Sequence, residues 1–176
     1  YAQDFVLSKD VSAITIQSQS ATPNAPLALD FKKLKIETIT NIIQKDSLVM
    51  SGNINGNTVI KNINTSPVFT ADLKISDFTF NNSPVGNIDV KVNNETTNTY
   101  AANVSISGQD NQVNLDGKYL ASSSSVDLDL DVQKLNLKSI EGFTMGQITQ
   151  GSGYFNGRFR ITGTTKEPKV VGNLKF

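Results

Sequence analysis

The chain of 176 residues contains no cysteine, no histidine and no tryptophan. Without cysteine it can form neither disulfide staples nor a thiolate zinc site, although this leaves its compartment open. Without histidine the usual general base of hydrolytic chemistry is missing. Charge of neither sign dominates: 16 basic and 16 acidic residues cancel. That gives no electrostatic case for nucleic acid or for an anionic membrane surface as a partner. No stretch reaches the roughly 18 consecutive apolar residues of a membrane-spanning helix. Leucine and alanine are modest while asparagine, serine and threonine are abundant, which favours strands with polar turns over helices. The length suits one domain with a sizeable core.

What is present is alternation. Period-two runs appear at Leu27 to Phe31, Phe69 to Ile75, Ile88 to Val92, Tyr100 to Ile106, Val113 to Tyr119, Val126 to Val132, Phe155 to Ile161 and Gly172 to Phe176. Turn formers bound each one. In the run from Phe155, residues 155, 157, 159, 161 and 163 share one face; Tyr154, Asn156, Arg158, Arg160 and Thr162 share the other. Asn55-Gly56, between Leu48–Ile54 and Val59–Ile63, predicts a tight hairpin. Gln109 to Asn111 predicts another, and Ala121 to Ser125 a short polar bridge. Parity changes between Ile75 and Phe78, and between Val132 and Leu135. These predict bulges near Ser76-Asp77 and Gln133-Lys134, because an unabsorbed slip would turn later side chains to the wrong face. Helix is scarce, with one short turn expected within Leu137 to Met145. The expectation is an all-β chain of about a dozen short, mostly antiparallel strands without crossover helices.

Site chemistry is sparse. Asp127-Leu-Asp-Leu-Asp opens like a calcium loop, but the sixth and twelfth places hold Val132 and Lys138 instead of Gly and Glu. The three carboxylates fit the wet face of a strand whose other face is Val126, Leu128, Leu130 and Val132. The Gly-rich run Gly142 to Gly157 lacks the Lys-Ser/Thr ending of a phosphate loop and has no helix after it. Ser122 to Ser125 is a turn, not a Gly-x-Ser-x-Gly elbow. Asp72, Asp89 and Glu95 read as outward or turn residues, so no enzyme, metal or cofactor is expected. Asn64, Asn81, Asn94 and Asn103 begin glycan-acceptor triplets, which matter only in a eukaryotic secretory setting.

The C-terminal third carries a resemblance. Leu128-Asp-Leu-Asp-Val-Gln-Lys-Leu-Asn-Leu-Lys-Ser-Ile is followed by Gly151-Ser-Gly-Tyr-Phe-Asn-Gly-Arg-Phe-Arg-Ile-Thr-Gly-Thr and by Glu167-Pro-Lys-Val-Val-Gly-Asn-Leu-Lys-Phe. The spacing Gly153 to Gly157, then Gly163-Thr164, Pro168 and Gly172-Asn-Leu174, resembles the C-terminal region of the TamB family, in the AsmA-like superfamily. The match covers residues 126–176; upstream only the strand rhythm agrees. The Asn/Lys/Ser-rich composition departs from the better-known proteobacterial members. The resemblance implies a periplasmic envelope segment of a Gram-negative bacterium. The implied whole protein is anchored in the inner membrane and reaches an outer-membrane barrel partner. It also implies an elongated, curved sheet forming an open apolar groove, a half-pipe. The implied activity is movement of phospholipid between the two membranes, in support of outer-membrane biogenesis. On that reading residues 1–176 are one domain cut from a longer repetitive protein.

A dozen strands at ~4.8 Å spacing would extend nearly 60 Å, a trough rather than a globule. The residues expected to line it are Leu73, Ile75, Ile88, Val90, Val92, Val104, Ile106, Leu128, Leu130, Val132, Phe155, Phe159, Ile161, Leu174 and Phe176. Phospholipid acyl chains are the expected occupant. The same alternation describes the core of a closed β-sandwich equally well. A module that binds outer-membrane proteins through its open strand edges is the other alternative.

Overall fold

In the computed structural model, residues 5–43, 49–94, 96, 98–144 and 146–175 are described. Eleven strands form one sheet in chain order, each antiparallel to the next. They are β1 (Phe5–Lys9), β2 (Ser12–Ser18), β3 (Leu27–Lys35), β4 (Met50–Lys61), β5 (Val68–Phe80) and β6 (Ser83–Asn93). Then come β7 (Thr99–Gly108), β8 (Asn111–Leu120), β9 (Ser125–Asn136), β10 (Tyr154–Thr164) and β11 (Pro168–Lys175). The sheet is curved and does not close on itself, and no second sheet faces it among the described residues. The sandwich alternative therefore fails.

A meander puts its connections alternately at two edges. At one edge lie the β1–β2 turn, helix α1 (Ile36–Ile43), the turns at Asn81-Asn82 and Gln109-Asp110, and helix α2 (Leu137–Ile140) with its 3-10 extension Glu141–Phe143. At the other lie the connections 19–26, 62–67, the one following Asn94, 121–124 and 165–167. Asn81 and Asn82 (φ 46° and 64°) and Gln109 and Asp110 (φ 52° and 63°) make two-residue hairpin turns whose positive φ values match the twist of the strands. The Gln109 hairpin and the 121–124 bridge agree with the sequence expectation.

The bulges also gather at the helical edge. Register shifts fall between Phe31 and Leu34, Ser51 and Asn53, Ile75 and Phe78, and Phe155 and Gly157. On the β8–β9 ladder, Gln112 pairs with Lys134 while Val113 pairs with Val132, so Gln133 is the extra residue. Both bulges expected from parity are present, and Asp77 takes a positive φ of 55° to make the first. Each bulge adds twist and bends its strand, so their alignment curls this edge.

Two expectations need correction. Asn55-Gly56 makes no hairpin, because β4 runs through it from Met50 to Lys61. Gly56 (φ 129°) instead permits a close approach: a Cβ there would lie 2.1 Å from the Asp72 carbonyl oxygen. The Asn55 side-chain oxygen accepts a bond from the Lys33 backbone N–H at 2.9 Å, filling the ladder gap at the β3 bulge. The second correction is α1, which the sequence reading lacks. Ile36, Ile39, Ile42 and Ile43 recur at helical spacing, but their β-branched side chains disguise it. β1 and β2 continue the sheet on the N-terminal side of Leu27. Expected features at Leu48, Glu95, Met145 and Phe176 lie outside the described residues.

Candidate functional site: one apolar face

Directly paired residues in a sheet share a face, so the registers trace the apolar side chains across the strands. One row runs Leu7, Ile14, Phe31, Gly56, Leu73, Val90, Val104, Leu115, Leu130, Phe159, Gly172. A second runs Leu34, Ile54, Ile75, Ile88, Ile106, Val113, Val132, Gly157, Leu174. A third includes Ala71, Val92, Ala102, Gly117, Leu128, Ile161 and Val170. These rows place Leu73, Ile75, Ile88, Val90, Val92, Val104, Ile106, Leu128, Leu130, Val132, Phe159, Ile161 and Leu174 on a single face. Phe155 pairs with Leu135 beyond the β9 bulge and borders the same concavity. Only Val132 of this set is buried and only Leu174 is exposed; the rest are half-buried.

Toward the C-terminal strands this face holds an open concavity of about 550 Å³. Ile106, Val113, Leu130, Val132, Leu135, Phe155, Phe159, Ile161, Val170 and Leu174 floor it, and Ile140 and Phe143 wall its helical side. Among the described residues Ser139 is its one polar lining residue. The expected residues Ile106, Leu130, Val132, Phe155, Phe159, Ile161 and Leu174 meet here. Leu73, Ile75, Ile88, Val90, Val92, Val104 and Leu128 line the face elsewhere. Val113, Leu135 and Phe143 belong to the site although the sequence expectation omits them. Val113 was recoverable from the meander, which pairs it with Ile106. A smaller concavity of about 360 Å³ lies near the N-terminal end, where Leu7, Ile14 and Leu34 meet Lys9, Lys35 and Thr38.

The glycines of the C-terminal motif acquire a physical role at Phe159. Its ring lies over Gly157 and Gly172, where added Cβ atoms would come within 3.0 Å and 2.6 Å of it. The missing side chains let an aromatic ring lie flat on the sheet.

The wall is held by polar bonds buried at the helical edge. Asn111, 5% exposed, donates from Nδ2 to the Val85 carbonyl (2.8 Å) and to Ser139 Oγ (2.8 Å), and its Oδ1 accepts from the Asn136 N–H (2.8 Å). Ser83 Oγ accepts from the Gly142 N–H at 2.9 Å, and Asn81 Nδ2 donates to the Gly142 carbonyl at 2.9 Å. Asn136 caps α2, accepting from the Lys138 N–H at 3.0 Å. Phe143 stacks on Phe80 with centroids 4.2 Å apart. All of this fixes α2 and its extension against the bulged strand ends.

The opposite face is charged and wet. Lys74–Asp89 (3.8 Å), Lys91–Asp72 (3.6 Å) and Arg158–Asp131 (3.0 Å) pair across strands. Arg160 bonds both Asp129 and Asp127. The Asp129 hydrogen bond is the main reason its guanidinium pKa lies above the ordinary arginine value. The acids that resembled a calcium loop are thus engaged by arginines, and among the described residues no cluster of acids could hold a metal ion. No helix among the described residues is long and apolar enough to cross a membrane.

No protein-family model matches the chain, nor does any curated protein or solved structure.

Proposed function

We propose that this chain is a segment of a bridge-like lipid-transfer protein, of the kind the TamB resemblance implies. Its apolar face conducts phospholipid acyl chains through the periplasm between the inner and outer membranes. The observation that carries this reading is the register, which joins half-buried apolar side chains into rows across an open sheet with no facing layer among the described residues. A large apolar face left uncovered on this scale marks a ligand or partner site. Transfer of an acyl chain onto it gains ~0.8 kcal/mol per buried CH₂, spread along the rows rather than concentrated at one site. That distribution suits sliding. No side chain is asked to do chemistry.

Native mass spectrometry of the chain purified from membranes tests the reading. Adducts with phospholipid masses, lost on delipidation and regained from vesicles, are expected. A chain that never carries lipid under these conditions contradicts it.

A second reading rests on the two outer strands. Among the described residues both sheet edges are unpaired, and Phe5, Val6 and Leu7 on β1 and Val170 and Val171 on β11 are each at least half exposed, at 50–73%. Such edges can accept a strand from an outer-membrane barrel protein. Capture of that partner by fully delipidated protein, abolished by deleting residues 170–176, would favour this role.

A further inference from the structure

From the gradient of side chains along β7 to β10, we infer that a bound amphiphile lies parallel to the strands in one fixed polarity. Its tail ends in the concavity beneath Phe143, and its headgroup emerges at the loop edge beside Tyr100 and Tyr119. The inference rests on the lipid-conduit reading and adds an orientation to it.

The two ends of the apolar face differ in what they can solvate. The end beneath α2 is walled by Ile140 and Phe143 and lined by hydrocarbon, with no charged side chain among the described residues. Its one polar residue, Ser139, is 2% exposed and its hydroxyl already accepts from Asn111. A phosphate or ammonium placed there would lose its hydration and find no partner. At the other end of the strands the apolar row changes to Tyr100 on β7 and Tyr119 on β8, joined by Phe69 on β5, with ring centroids 6.3 Å (Phe69–Tyr100) and 6.1 Å (Tyr100–Tyr119) apart. Tyrosine has an apolar ring and a polar tip, and suits the level where hydrocarbon meets water. Beyond it the connection 121–124 is Ala-Ser-Ser-Ser, hydrogen-bonding and uncharged.

The complementarity extends to length. Six residues separate Tyr100 from Ile106 along β7, and six separate Tyr119 from Val113 along β8, about 20 Å of strand. One leaflet of a bilayer has a hydrocarbon depth of about 15 Å, half the ~30 Å core. A single acyl chain therefore reaches from the tyrosine row into the concavity with its polar end outside. Closure of one edge by α2 blocks the reverse arrangement. The apolar rows themselves run across the strands, so a lipid held this way can shift sideways from strand to strand without turning over.

The test loads the wild-type chain from phosphatidylcholine vesicles carrying a diazirine at the terminal carbon of one acyl chain or on the headgroup. Peptides labelled after illumination are mapped by mass spectrometry. The terminal probe should label Leu135–Phe143 and Phe155, and the headgroup probe Tyr100 and Tyr119–Val126. Each should favour its own end by about tenfold or more, the ratio that even a modest burial penalty imposes. Equal labelling of both ends by both probes, or the reverse pattern, overturns the orientation while leaving the conduit standing. No label anywhere on the apolar face overturns both.

Discussion

The two edges of this sheet are made from the same strands but are built differently. At the helical edge, bulges bend the strand ends and α1 and α2 cover them. Among the described residues five of the six buried apolar ones lie there: Leu34, Ile36, Val85, Val113 and Val132; Ala25 belongs to the loop edge. At the loop edge the strands end in polar connections, and the apolar side chains behind them stay half-buried. The difference teaches that stability and the proposed ligand surface are divided within one layer. The bulged edge supplies the compact core, which leaves the middle of the apolar face free of that duty.

The sharpest way to break the contrast is to put a charge at each side. Val132→Asp buries a carboxylate with no cation facing it at a site 3% exposed, and should cost on the order of 3–5 kcal/mol. Loss of the cooperative urea transition would register it; near-wild-type stability would mean the edge is not packed as described. Asn111→Ala comes next. It orphans the Val85 carbonyl, Ser139 and the Asn136 N–H, and should lower unfolding free energy by about 1–3 kcal/mol. Hydrogen exchange should quicken in α2 first, while β2 to β4 stay protected.

Val170→Asp sharpens the comparison from the other side. Val170 lies on the apolar face but is 58% exposed, so stability should change by no more than about 0.5 kcal/mol. Lipid occupancy in native spectra should nevertheless fall, because the charge stands in the apolar lining of the concavity. A fall in stability matched by unchanged occupancy would reverse the assignment of roles. The smallest effect belongs to the wet face. Arg160→Gln removes an exposed pair network and should shift the melting temperature only slightly, less so in high salt. Its folded-state pKa is raised, so any stabilisation is fully present below the unfolded arginine pKa and lost only as pH climbs through the higher folded value. The difference between Arg160→Gln and wild type should therefore be flat from neutral to mildly alkaline pH.

The strands from β5 to β11 were legible because alternation there is regular and each apolar set needs one face. The bulges at Asp77 and Gln133 were legible from parity alone, since one extra residue flips all that follows. Asn55-Gly56 misled because a glycine needed for close approach to Asp72 has the same signature as a turn. Helix α1 was hidden by isoleucine and threonine, whose strand preference is overridden where Ile36 packs beside Gly52 at the bulge. The site was legible as a face but not as a cavity: Leu135 and Phe143 enter only because buried bonds from Asn111 and Ser83 pull α2 and its extension over the sheet. No period in the sequence encodes such a long-range latch.

The most direct test of the central claim compares two neighbours on β10. A photoreactive amino acid placed at Phe159 faces the concavity, and one placed at Arg158 faces the charged side beside Asp131. After incubation with phospholipid vesicles, the probe at 159 should crosslink lipid and the probe at 158 should not. Equal crosslinking from both positions would contradict the claim that acyl chains occupy one face of this sheet.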